Sequence, residues 1–506
     1  QVYYSMKQIT LNKKTKIIST IILFVVIIAI VVFLCLTGLK KEETPLSSYK
    51  MELSYDNTTH TISGSEEITF VNNYDNMFTY LYLHLYPNAF REGASASVVS
   101  SAEEENAYPN GISYGSIEVQ SVTSDGESLD FNVEGEDQNI LRVELPSEVY
   151  PDESITFTIN FITTLANINH RLGYGENTIN LGNFYPIICM YESGVGFKTD
   201  LYHSNGDPFY SECADYDVTI SYPSNYMLAS SGQLMEASTE NNITTSTMTG
   251  EKIRDFCMVL SENFSHTSSK VGNTIINYYG YNGDTNLDTC LQVCEDALAT
   301  FNELFGEYPY SQLSIVKSNF VHGGMEYPNL VLISDEVASD DLAYVIVHEI
   351  AHQWWYGVVG NDENNHAWMD EGLAEYSTLL FFENNSSYGQ DSETMIDNAL
   401  QSYKTFVRVY TNVTGSVDTS MDRALSAFNT EPEYVQCTYT KGLLLFDAIR
   451  ETVGDRKFFK ALEDYYQDFS FKNATPADMI ASFNHSTGYD LEGFIMSWLE
   501  GDVVVQ

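Results

Sequence analysis

The stretch "VHEIAH", residues 347–352, sets two histidines four positions apart with a glutamate beside the first. Residues four apart on an α-helix project from one face, one turn above the other, so His348 and His352 can grip a single ion if this segment is helical. Glu349 is then turned about a hundred degrees around the same helix, where its carboxylate reaches a water on the ion without displacing a ligand. The surrounding run, "DDLAYVIVHEIAHQWWYGVVG" over residues 340–360, reads as such a helix along its whole length, with acids at its start, a long apolar stripe and glycines at its end. A chain carrying this helix must leave one face of an otherwise apolar element open to a cleft.

A bare pair of histidines on an apolar helix is more often packing than chemistry. The reading changes with "HAWMDEGLAEY", residues 366–376, which opens a second amphipathic helix and offers Glu371 nineteen residues after His352. Three protein donors with one open position are the ligand set of a catalytic zinc ion.

Four motifs now stand in order: "GGMEYP" at 323–328, "HEIAHQWWYGVV", "WMDEGLAEY" and "YTKG" at 439–442. Their order and spacing resemble the gluzincin aminopeptidases typified by aminopeptidase N, over residues 46–506. The resemblance implies a zinc-dependent metallo-aminopeptidase with one Zn2+ per chain, held by His348, His352 and Glu371. It makes Glu349 the general base and Tyr439 the donor that hydrogen-bonds the tetrahedral oxyanion, a contribution typically worth about 3 kcal/mol. Gly323 and Gly324 let a substrate backbone approach closely and pair as an added strand. Glu326 offers its carboxylate to a free N-terminal ammonium and so fixes which bond is presented. The family has asparagine after that glutamate where this chain has Tyr327, which bears on the backbone grip and leaves the amine anchor intact. A second residue for the ammonium is not placed: "NLGNFYPIICMYES", residues 180–193, lies in the right region without the family's motif. The chain stops soon after "DLEGFIMSWLEGDVVVQ", without the further helical domain that many members add, from which a more open cleft is expected. A zinc endopeptidase with an open cleft and a catalytically silent peptide-binding scaffold are the alternatives.

The remainder divides the chain. Residues 17–39 are 23 residues without a charge, long enough to span a bilayer as a helix. Four lysines precede this run and two follow, which favours a cytoplasmic N-terminus, residues 1–16, and an extracytoplasmic remainder of a single-pass cell-membrane protein. The length of the apolar core and the lack of small residues at a cut favour an uncleaved signal anchor over a cleaved signal peptide. A polar linker, 40–48, leads to segments such as "YKMELSY" and "SITFTINFITTL", whose alternation predicts a β-rich domain over 49–268, saddle- or sandwich-like in the family's manner. Helical periods then dominate 269–506, interrupted by the strand-like "LSIVKSN" and "NLVLIS", as expected of a thermolysin-like α/β catalytic domain.

The whole chain carries a formal charge of −46, and the lysine-only first 41 residues leave the rest more negative still. Such a surface disfavours nucleic acid and anionic lipid headgroups as partners; the resemblance implies peptides with a free N-terminus, and residues 17–39 are the expected contact with the bilayer. "EEEN", residues 103–106, reads as solvated surface. The six cysteines outside the apolar run are too scattered for a disulfide framework, and Cys290 and Cys294 share a helix face as packing residues.

Overall fold

The structure, a computed structural model, describes residues 45–503. The expected tail, the apolar run 17–39 and most of the linker lie outside the described residues. Among those described, no helix is long and apolar enough to cross a membrane.

Alternation makes the first lobe. In "SYKMELSYD", Tyr49, Met51, Leu53 and Tyr55 are buried and their neighbours face out, so Ser48–Asp56 is a strand rather than linker from its first residue. It lies inside an eight-stranded sheet, antiparallel to Thr61–Val71 and parallel to Ala214–Pro223. Two four-stranded sheets and the two-stranded pair Tyr191–Glu192 and Gly196–Phe197 complete this lobe.

The second lobe begins earlier than the sequence suggests. The expected boundary at residue 268 falls inside the strand Phe264–Val271, which pairs with Thr274–Tyr281 in a five-stranded sheet. Thr274–Tyr281, Gln312–Ser318 and Leu330–Ser334 run parallel, and the helix Leu287–Leu304 makes the first crossover. The two-residue strand Gly324–Met325 forms the outer edge, antiparallel to Leu330–Ser334. Alternate residues of this sheet serve two cores. Leu313, Ile315, Val331 and Ile333 pack under the helices, while Val316, Leu330 and Leu332 pack into the first lobe with Met325 and Tyr327. Cys290 and Cys294 are buried in the helical core, and all six described cysteines are free.

The helix expected over 340–360 is shorter: it spans Leu342–Ala351, with His352 as its C-cap. Past Ala351 the ladder changes, with the N–H groups of Gln353 and Trp354 donating to the carbonyls of Ile350 and Ala351, three residues back. His352 Nδ1 donates to the Trp355 carbonyl at 3.1 Å, and the buried Arg254 donates through Nε to the Tyr356 carbonyl at 2.7 Å. Trp354 and Trp355 fix the turn by donating to Gly306 O and Ser377 Oγ, and Tyr356 takes a φ of 132° that its surroundings must hold. The helix Trp368–Asn384 is buried on almost every side rather than amphipathic. It crosses the helix Lys441–Val453 where Gly372 meets Gly442. A Cβ on Gly442 would lie 2.6 Å from Gly372 Cα, so the backbones approach as only two glycines allow.

Candidate active site

Three donors converge at the mouth of the His348 helix. His348 Nε2 lies 3.3 Å from Glu371 Oε2, His352 Nε2 lies 3.2 Å from the same oxygen, and the two Nε2 atoms are 3.2 Å apart. Of the other ring nitrogens, one is hydrogen-bonded and one lies within ion-pair distance of a carboxylate. His352 Nδ1 donates to the Trp355 carbonyl, and His348 Nδ1 lies 3.1 Å from Glu375 Oε2, which also accepts from Tyr344 through its other oxygen. Each imidazole thereby turns Nε2 toward one point shared with a carboxylate oxygen, and three lone pairs aimed at one point repel unless a cation lies between them.

The spacing suits zinc. A tetrahedral ion about 2.0–2.1 Å from each donor needs donor separations of about 3.3–3.4 Å, close to the three observed. The surroundings favour positive charge as well. Burial works against charging His348, but hydrogen bonds to Glu371 and Glu375 carry it up to about 10. Burial likewise works against Glu371 as an anion, yet His352 and His348 hold it down to about 2. The residues present therefore fit a zinc ion.

Glu349 follows His348 and turns to the same cavity, 6% exposed, with Oε2 free of any hydrogen bond. Burial pushes it up to about 7, against the pull of His348 and His352. Gly324 explains its partner in the "GGMEYP" motif: a Cβ there would lie 2.3 Å from Glu349 Oε1, whereas one on Gly323 would touch only Val345, 3.9 Å away. Only the second glycine is demanded by contact. Tyr439 sits on a single π-helical turn, Gln436–Thr440; its ring stacks on His348 and its hydroxyl donates to Glu371 Oε1.

Glu326 is 3% exposed, and its Oε1 has no hydrogen-bond partner. Burial, then the charge of Asp207, raise it well above the usual carboxylate range. Asp207, paired with Arg171, is the first lobe's carboxylate at this end of the cavity. The departure at Tyr327 puts no side chain among the residues that line the cavity. Its ring points away from the cavity into the first lobe, and its hydroxyl donates to Asn183 Oδ1 at 2.6 Å. It fills space that only Gly182 leaves open, since a Cβ on Gly182 would lie 2.0 Å from that hydroxyl. The segment 180–193 thus backs the motif from behind. Gln353, beside His352, holds the motif's backbone by donating to the carbonyls of Glu326 and Tyr327 at 3.3 and 3.2 Å.

The structure brings every site residue expected from the sequence, His348, Glu349, His352, Glu371, Tyr439, Glu326, Gly323 and Gly324, to one cavity of about 450 Å³. Sequence reasoning missed Glu375, Gln353 and Asp207. Glu375 was within reach, one helical turn after Glu371 on the same face. Gln353 offered no signal, and Asp207 stands in "SNGDP", which reads as an ordinary turn. It also placed "EEEN" in solvent, whereas Glu103 lines this cavity.

Residues 290–498 match the profile of the Peptidase family M1 domain. This match takes in the His348, His352 and Glu371 donors and Tyr439, so the part of the chain that holds the candidate site is similar to M1 peptidase domains. The resemblance to aminopeptidase N-like gluzincins read from the motifs is thereby borne out. Relatives of the M1 domain include aminopeptidase B of Mus musculus, 29% identical over 201 residues, which cover 37% of this chain and 29% of that protein. Aminopeptidase N of Lactococcus lactis subsp. lactis is 25% identical over 238 residues, which cover 43% of this chain and 27% of that protein. The matched region spans less than a third of the length of these relatives. The fold is similar to an M1 zinc metallopeptidase from Deinococcus radiodurans, with a TM-score of 0.64 at 17% identity over 91% of this chain and 95% of that one. A mutant of that protein has been solved bound to a Tyr-Ser-Ala substrate.

Proposed function

We propose that the protein is a zinc-dependent aminopeptidase that releases N-terminal residues from peptides. The observation that carries this reading is Glu326: a buried carboxylate with a free oxygen stands in the same cavity as the His348, His352 and Glu371 donors and Glu349. A buried unpaired carboxylate calls for a cation, and the ammonium at the start of a peptide is one.

In this reading the peptide pairs with the free edge of Gly324–Met325, and its ammonium lies against Glu326. Zinc, held by His348, His352 and Glu371, supplies a Lewis acid that makes water acidic near neutral pH. Glu349 takes the proton of the attacking water as the oxygen bonds to the first peptide carbon, then gives it to the amine as the C–N bond breaks. Tyr439 donates to the oxyanion that develops between those events. The names of the M1 relatives and the tripeptide bound to the Deinococcus protein support the same substrate class.

The test compares zinc-loaded protein on matched peptides with free and acetylated N-termini. Cleavage of free-amine peptides is expected to lead by at least about 100-fold, and Glu326→Ala to erase most of that lead, since it removes a buried charge pair. Equal cleavage of both forms would make this an endopeptidase, and no cleavage of either would leave a scaffold.

We also propose that residues 17–39 anchor the peptidase to a cell membrane with its catalytic part outside the cytoplasm, supported by the uncharged run and the lysine bias before it. The full chain should resist alkaline carbonate extraction from membranes, and a chain starting at residue 42 should not. Release of the full chain by carbonate would remove the anchor.

A further inference from the structure

The cavity carries charge that peptide-bond chemistry leaves unused. Asp207 is paired with Arg171, Glu375 with His348 and Tyr344, and Glu326, Glu349 and Glu371 have the roles given above. Two carboxylates remain. Glu103 comes from the first lobe, at the start of the short helix Glu104–Ala107, and Glu431 opens the short helix Glu431–Val435 of the second. Both line the cavity, and His322 lines it with them. His322 Nδ1 lies 3.3 Å from Glu103 Oε1, and Ser100 Oγ donates to Glu103 Oε2 at 3.1 Å. Glu431 makes no ion pair among the described residues, and burial and then the like charge of Glu103 raise it above the ordinary carboxylate range. Glu103 thus has the histidine as its partner, and Glu431 is left without one among the described residues.

The same cavity carries buried polar groups without a partner, as a ligand site does. Glu326 Oε1 is buried and unpaired, and so is the hydroxyl of Tyr434, one helical turn after Glu431. One wall of the cavity is the chain from Val321 through Gly323 and Gly324 to Glu326. A peptide whose amine rests at Glu326 continues along that wall toward His322. Four residues of extended chain reach at most about 13 Å, so the second and third peptide residues lie within the part of the cavity that Glu103, His322 and Glu431 line.

We propose that Glu103 and Glu431 form a cation-binding subsite that selects peptides with lysine or arginine at the second or third residue. This deepens the aminopeptidase reading and rests on it for the direction of the peptide. The two carboxylates come from different lobes, so the subsite exists only where both meet. Ion pairs at half-exposed groups are individually weak and screened by salt, so the selection is one of degree.

The test measures kcat/KM on Ala-Lys-Ala, Ala-Ala-Lys, Ala-Ala-Ala and Ala-Ala-Glu, together with calorimetric binding of the same peptides to the zinc-loaded Glu349→Gln protein. The better lysine peptide should exceed Ala-Ala-Glu by about tenfold at low salt. The ratio should fall to about twofold or less in Glu103→Gln/Glu431→Gln and should shrink in high salt. A wild-type ratio near one, or a ratio that the double variant leaves unchanged, would overturn the subsite. If no peptide is cleaved the aminopeptidase reading fails, and the binding ratios decide the subsite by themselves: lysine over glutamate keeps it, equality removes it.

Discussion

Glu349→Gln is expected to lower kcat by about 10²- to 10⁴-fold, the usual share of a positioned general base, while one zinc ion per chain is still taken up. The substitution keeps the shape that Gly324 accommodates and removes only the oxygen able to accept a proton. Zinc uptake should survive because each ligand is oriented by a partner other than Glu349: His348 by Glu375, His352 by the Trp355 carbonyl and Glu371 by Tyr439. The decisive comparison is metal content and turnover on one preparation. A variant that holds zinc and turns over within tenfold of the parent would strip Glu349 of its role, and one that loses zinc would show that it supports the ligands instead.

Gly442→Ala should cost both activity and stability. The added methyl would sit 2.6 Å from Gly372 Cα, and neither backbone has a flexible end that can yield. Overpacking of this kind costs about 1–3 kcal/mol. The damage should reach catalysis because Gly372 directly follows Glu371 and Gly442 lies three residues after Tyr439. Parting the helices by about 1 Å moves a metal ligand away from the oxyanion donor, and displacements of that size cost about 100-fold in rate. Gly493→Ala is the control, since nothing lies within 4 Å of a Cβ there. Thermal unfolding and kcat should fall together in the first and hardly change in the second; equal kcat in the two variants would mean the crossing does not position the site.

What could be read from the sequence follows from how far apart the determinants lie. The spacing of His348, Glu349 and His352 is local, so helix geometry alone places them on neighbouring faces. Glu371 and Tyr439 were found because their residue types answer what a metal and an oxyanion need, in a recognisable order. The glycines of their motifs looked like signature letters and turned out to be a contact, which exists only once two helices cross. The helix end at Ala351 was missed for a similar reason: the turn after it is held by distant partners, Arg254 on the Tyr356 carbonyl and Gly306 under the Trp354 ring. Asp207 and Glu103 were passed over because a carboxylate in a polar loop looks the same in sequence whether it faces water or a cleft. The alternating strands were legible, but which sheet the strand Phe264–Val271 joins was not, because pairing is decided by partners rather than by pattern.

The central sheet has one side under the helices and the other inside the first lobe, through Val316, Met325, Tyr327, Leu330 and Leu332. The stretch recognisable as M1 peptidase therefore stops short of being an excisable module. Its edge strand, along which a peptide would lie, rests on side chains from the other lobe, and cutting the chain between them would bare an apolar floor just where substrate must bind. Descent would have to carry the two lobes together, with changes at Gly182 or Asn183 answered at Tyr327.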